Sequence, residues 1–283
     1  MAKKRVAVVA VHGMGSFGPE QPASVAKPSY SERLHAKIRE KIGSKVFDDN
    51  VAWGEVFYAN VLQVNQTEYL KRIAPKVSTG QIREFVVNNL GDPASYSANP
   101  TDPKNMIYGA VRKCIETTFK RLQGLVTDDA PMIVLAHSLG GHVISNHIWD
   151  SQSPNSAMNA GVPFSMTGRI AALVTFGCNI PIFTFAYKSD DVQAISRPSN
   201  DLSSSRRLTP WWQNFYDSDD VLGYPLAETG KGYTDLAKKG ELQDNPINAG
   251  GLFTSWNAFS HTAYWADDDL AQPVAKMIEG LFP

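Results

Sequence analysis

The chain has 283 residues, 43% of them hydrophobic and 19% charged, an ordinary globular composition with enough length to bury a large core. A formal net charge of −1 supplies no basic field, so a nucleic-acid partner is not expected. No stretch approaches the roughly 18 consecutive apolar residues of a spanning helix, which argues against an integral membrane segment. Cys114 and Cys178 are the only cysteines, and so sparse a set fits a reducing compartment, the cytoplasm.

Val6 to Val11 reads V-A-V-V-A-V, the pattern of a strand buried on both faces of a parallel sheet. It empties into His12-Gly13-Met14-Gly15, where glycines let the backbone fold back over the sheet edge with its N–H groups free. Ser29 to Ile42 carries Leu34, Ile38 and Ile42 at a spacing of four, which predicts a helix on the sheet with Ser31 available as its cap. Val51 to Tyr58 alternates and is rich in aromatic residues, a second strand. From Val61 to Leu90 the apolar spacing is helical but broken by Pro75 and Gly80. Residues 91–104 hold Asp92-Pro93, Asn99-Pro100 and Asp102-Pro103, a loop of the size often used as a lid. Met106 to Leu122 places Ile107, Val111, Ile115, Phe119 and Leu122 on one stripe, an amphipathic helix.

Pro131 to Ile144 reads P-M-I-V-L-A-H-S-L-G-G-H-V-I. Its first half is a continuous apolar run and predicts a central strand. After Ser138 the apolar positions recur at helical spacing, so a helix is expected to start at the serine. A strand that turns into a helix across one serine, with Ala136 and Gly140 two places to either side, has the form of a nucleophile elbow. The small residues are expected because so tight a turn crowds the positions around the serine. Such a turn also aims the Leu139 N–H and the helix N-terminus at whatever sits on Ser138.

Arg169 to Phe176 predicts the next parallel strand, ending at Gly177. The stretch 178–208 mixes aromatic and polar tracts and is a candidate cap or surface loop. Trp211 to Tyr216 predicts a further strand, which opens into Asp217-Ser218-Asp219-Asp220-Val221-Leu222. Three carboxylates so close repel, so at least one is expected to be solvated or bonded to backbone N–H groups. His261 lies in F-S-H-T-A-Y-W, ahead of a final helix that starts between Asp267 and Gln272, with Pro273 in its first turn. Of the remaining histidines, His137 is too near Ser138 in sequence to act as its base. His142 and His147 are expected to pack or face solvent, and no ligand cluster for a metal is evident.

The segment A-H-S-L-G-G resembles the α/β-hydrolase superfamily, in particular its lipase and esterase branches. H-G-M-G after the first strand and H-T-A-Y-W around His261 are similar to the oxyanion turn and the histidine region of such chains. The resemblance implies one α/β-hydrolase domain over residues 1–283, with a mostly parallel sheet, helices on both faces and insertions at 91–104 and 178–208. It implies a serine esterase or lipase that needs no cofactor, acting on a small-molecule ester or lipid. The site residues carried over are Ser138 as nucleophile, Asp220 as acid with Asp219 as the alternative, His261 as base, and the Met14 and Leu139 N–H groups as oxyanion hole. Thioesterase, phospholipase or acyltransferase chemistry on the same triad is the first alternative, and a non-catalytic binding scaffold is the second.

Overall fold

Strands that are apolar along their whole length need cover on both faces, and this chain supplies it with helices. The computed structural model describes residues 2–13, 28–62, 107–153, 164–249 and 260–282, with residues 68, 72 and 96 singly. The strands are β1 (Val6–Val11), β2 (Val51–Val56), β3 (Met132–His137), β4 (Ile170–Phe176), β5 (Trp212–Asp217) and β6 (Leu242–Ile247). They form a six-stranded sheet in the order β2-β1-β3-β4-β5-β6, and every pairing is parallel.

Alternate residues of β1 face opposite sides, as the pleat requires. Ala7, Val9 and Val11 meet α3 (Ile107–Leu125), α4 (Leu139–Gln152) and α5 (Lys231–Lys238). Val6, Val8 and Ala10 meet α1 (Glu32–Ile42), α2 (Ser44–Asn50) and the C-terminal α7 (Asp268–Glu279). Each aliphatic side chain removed from water in these two layers contributes about 1.5–3 kcal/mol before the entropy of ordering is set against it.

Chain direction explains where a site can form. After β1 the chain moves outward to β2, then crosses back to β3 on the other side of β1 and continues to β6. Between β1 and β3 the order reverses, and at such a switch point a site is expected at the carboxyl ends of the two strands. His12, Gly13 and Ser138 all follow those ends.

Two expectations need correction. Ser31 occupies the N-cap of α1 but makes no side-chain cap bond. Its hydroxyl donates to the buried Glu55 carboxylate at 2.6 Å and accepts from the Trp53 indole at 3.0 Å. Glu55 reaches over from β2 and takes the backbone N–H groups of Ser29 and Ser31 as well, so an acid on a neighbouring strand serves the helix start. Pro273 is the sixth residue of α7, past its first turn; it removes one intrahelical bond that the buried face of Leu270, Val274 and Ile278 offsets. The stretch 178–208 connects β4 to β5 through short 3-10 turns. It descends along α4, where Phe183 stacks on His142 at 3.9 Å and Gln152 pairs with the Ser196 backbone, and reaches the start of β4, where Ser199 donates to the Ile170 carbonyl. Apart from Tyr96, the loop at 91–104 lies outside the described residues.

Candidate active site

The local backbone at Ser138 is what the sequence pattern asked for. Ser138 sits between β3 and α4 with φ 53° and ψ −126°, a region non-glycine residues rarely enter and that costs on the order of 1–3 kcal/mol. Its N–H donates to the Phe176 carbonyl at 3.0 Å and its own carbonyl accepts from Gly141 at 3.0 Å, so both flanks hold the strained residue in place. Leu139 is the first helical residue, and its N–H therefore has no carbonyl one turn back to bond.

The crowding around the serine involves β1 as well as the elbow's own flanks. A Cβ on Gly140 would stand 2.5 Å from the His12 carbonyl oxygen and 2.7 Å from that of Val11. Gly13, just after β1, lies so close over Ser138 that a Cβ there would meet Ser138 Cβ at 2.6 Å and Oγ at 3.1 Å. Gly13 thus lies directly against the serine. Met14 lies outside the described residues.

Three side chains from distant parts of the chain meet at this point. Ser138 Oγ is 2.7 Å from His261 Nε2. His261 Nδ1 is 2.9 Å from Asp220 Oδ2 and 3.1 Å from Oδ1. The order hydroxyl, imidazole, carboxylate fixes the tautomer: Nδ1 carries hydrogen and donates to Asp220, which leaves Nε2 to accept from Ser138.

The acidic turn divides its carboxylates as electrostatics requires. Asp217 closes β5 and accepts backbone N–H groups, from Asp219 at 2.9 Å and from Ala249 at 2.7 Å. Asp219 is exposed, and Asp220 is buried at 4%. Burial pushes the Asp220 carboxyl up, but the hydrogen bond and charge of His261, the Leu222 N–H and the Tyr264 hydroxyl outweigh it and hold it below the ordinary 3.8. The geometry places Asp220, not Asp219, against His261.

Sequence reasoning missed three residues here. Tyr264 is buried, accepts the Asp217 N–H at 2.8 Å and donates to Asp220 Oδ2 at 3.0 Å. Gly177, at φ 53°, ends β4 directly beneath the pair; a Cβ would lie 3.2 Å from both Asp220 Oδ2 and His261 Cε1. His137 bonds through Nε2 to the His261 carbonyl at 2.6 Å. The sequence singled out Gly177 only as the end of a strand, and nothing near His137 or Tyr264 points to partners so far along the chain.

The other histidines are explained by packing. His12 accepts the Tyr58 N–H at Nε2, which leaves Nδ1 to donate to the Gly13 carbonyl; burial lowers it to about 4. His147 meets Thr167 and Glu116. Among the described residues no group of three or more His, Cys, Asp or Glu side chains is placed to hold a metal ion, and no helix is long and apolar enough to cross a membrane.

Comparison with protein-family models and with curated proteins finds no match for this chain. The fold is an α/β fold with an all-parallel six-stranded sheet flanked by helices. It is compatible with an α/β-hydrolase and not specific to one.

Proposed function

We propose that this chain is a serine hydrolase that cleaves carboxylic esters through an acyl-enzyme. The observation that carries this reading is the unbroken relay from Ser138 Oγ through His261 to Asp220, at 2.7 and 2.9 Å, built on a strained serine at a topological switch point. A hydroxyl is a poor nucleophile until a neutral imidazole accepts its proton. In this reading Ser138 Oγ attacks the ester carbonyl while His261 Nε2 takes the proton, and Asp220 stabilises the resulting imidazolium. The Leu139 N–H binds the oxyanion, and the Met14 N–H is the second donor that the resemblance implies, each donor worth about 3 kcal/mol. The imidazolium then protonates the leaving alkoxide, and water, deprotonated by His261, releases the acid. The same acyl-enzyme serves thioesters, phospholipids or an alcohol acceptor, and these are the first alternatives to a simple ester.

One observation favours the reading of a non-catalytic scaffold: Ser138 is 0% exposed, so a substrate reaches it only after the groups over it move. A fluorophosphonate probe distinguishes the two. In the proposed enzyme the probe labels wild type at Ser138, p-nitrophenyl esters from acetate to palmitate are hydrolysed with one chain-length optimum, and Ser138→Ala abolishes both. A wild type that neither labels nor turns over any ester or thioester makes the chain a scaffold.

A further inference from the structure

The base has little of its own to hold it. His261 lies on α6 (Ser260–Ala263), a helix of four residues that continues into a 3-10 turn at Tyr264–Ala266, and no strand carries it. Its position is set instead by bonds to the other two members of the relay. On the acid side, Tyr264 bridges the Asp217 N–H and the Asp220 carboxylate. On the nucleophile side, the bond comes from His137, the residue before Ser138, and spans 124 positions of sequence.

The chemistry of that bond is decided by its acceptor. The His261 carbonyl can only accept, so His137 Nε2 must carry the hydrogen. The ring is 3% exposed and walled by Phe176 at 5.3 Å, Trp265 at 5.6 Å and Tyr264 at 6.1 Å between ring centroids. The His261 ring is nearer, at 4.7 Å and 40°. A buried carbonyl whose donor is removed keeps its full desolvation cost, and here that carbonyl belongs to the residue that must move a proton.

We propose, resting on the serine-hydrolase reading, that His137 is a positioning residue: its Nε2–H fixes the main chain of His261 to the nucleophile strand and so keeps His261 Nε2 within reach of Ser138 Oγ throughout turnover. Ser138 and His261 are then joined twice, once by the reacting hydrogen bond and once by a bond that takes no part in the chemistry. When His261 becomes an imidazolium, the second bond resists the rotation or retreat that would carry it out of line. His137 stays uncharged beside that cation, because burial first and the neighbouring His261 second draw its pKa down to about 3. Its hydrogen bond goes to the His261 main chain and not to the reacting atoms.

Three variants test this. Gln places an amide N–H near the position of Nε2, Asn carries the same amide one methylene too short to reach the carbonyl, and Phe fills the ring volume without a donor. The expected result is a kcat lowered on the order of 100-fold in His137→Asn and His137→Phe, the cost of about 1 Å of misplacement, with KM within about threefold because the loss falls on alignment of the base and not on ground-state binding. His137→Gln should recover most of the loss, and fluorophosphonate labelling rates should follow kcat across the series. A folding defect in the Phe variant leaves the comparison of Gln with Asn, two soluble amides of equal polarity. Equal kcat in those two, or a full-rate Phe variant, overturns the positioning role while leaving the hydrolase intact. A wild type that is neither labelled nor active removes the hydrolase reading and this role with it.

Discussion

Gly140→Ala is the sharpest test of how the elbow is built. A Cβ at this position would stand 2.5 Å from the His12 carbonyl oxygen and 2.7 Å from that of Val11, short of ordinary contact by about 0.9 Å. Those oxygens are backbone at the end of β1, which is paired on both sides by β2 and β3, so they cannot swing aside as a side chain would. The start of α4 must retreat instead. It takes Ser138 and the Leu139 N–H away from the turn at Gly13. Overpacking of this kind costs about 1–3 kcal/mol, which in a chain of this size lowers Tm by roughly 2–6 °C. In the proposed enzyme the loss in kcat should match the upper end of that range, on the order of 100-fold or about 2.7 kcal/mol, because about 1 Å of error falls on Ser138 and the Leu139 N–H together. The assay pairs ester turnover with calorimetry, and Gly109→Ala in α3 is the control. An added Cβ there meets nothing within 4 Å, so stability should rise by about 0.5–1 kcal/mol with kcat unchanged. A Gly140→Ala protein with kcat within about twofold of wild type would show that the elbow tolerates the displacement and that this geometric account is mistaken.

Two further outcomes follow from the site. Asp220→Asn should lower kcat by roughly 10³–10⁴-fold, because the imidazole loses the group that fixes its tautomer and stabilises its cation; Asp219→Asn, on an exposed side chain, should stay within about twofold. Equal losses in the two variants would mean that the acidic turn rearranges and the choice of Asp220 is wrong. Stability should depend on pH through the buried histidines: His12 and His137 are lowered by burial from the ordinary 6.5 to about 4 and about 3. Between those values and 6.5 the unfolded chain binds protons that the folded one refuses. Stability is therefore intact above about pH 6.5 and is lost as pH falls below it, each group contributing a slope of up to about 1.4 kcal/mol per pH unit. Asp220, depressed below 3.8, acts in the same direction only at more acidic pH. Urea unfolding at about pH 7 and about pH 5 should show a drop of the order of 3 kcal/mol from the histidine pair, and an unchanged midpoint would contradict the assignment of both as neutral buried groups.

What the residues disclose in advance depends on whether the deciding contact is local. The strands β1, β3 and β4 are buried on both faces and announce themselves as unbroken apolar runs. The elbow is legible for the same reason: a strand, one serine and a helix are consecutive. β6 escapes detection because it is the sheet's edge, where Asp244, Asn245 and Pro246 are tolerated and the alternation that would reveal a half-buried strand is blurred. The short α2 buries only Phe47 and so has no period to read. The start of α1 shows a different failure: a serine at the N-cap predicts its own cap, yet Glu55, on a strand that follows, takes over the bonding.

The site divides along the same line. Ser138, Asp220 and His261 could be nominated because each sits in a short run that resembles the matching region of an α/β-hydrolase, a serine between small residues, an acid before aliphatics, a histidine among aromatics. The adjacency of β1 and β3 has no such signature, since β2 lies between them in sequence and only the crossover through α3 brings the two together. Yet that adjacency decides which backbone faces the serine. His137 shows how far this goes. Its closeness to Ser138 in sequence argues against it as a base for that serine, but the same closeness, combined with a fold that returns residue 261 to the end of β3, brings its Nε2 to the His261 carbonyl, the contact on which the proposed positioning role rests.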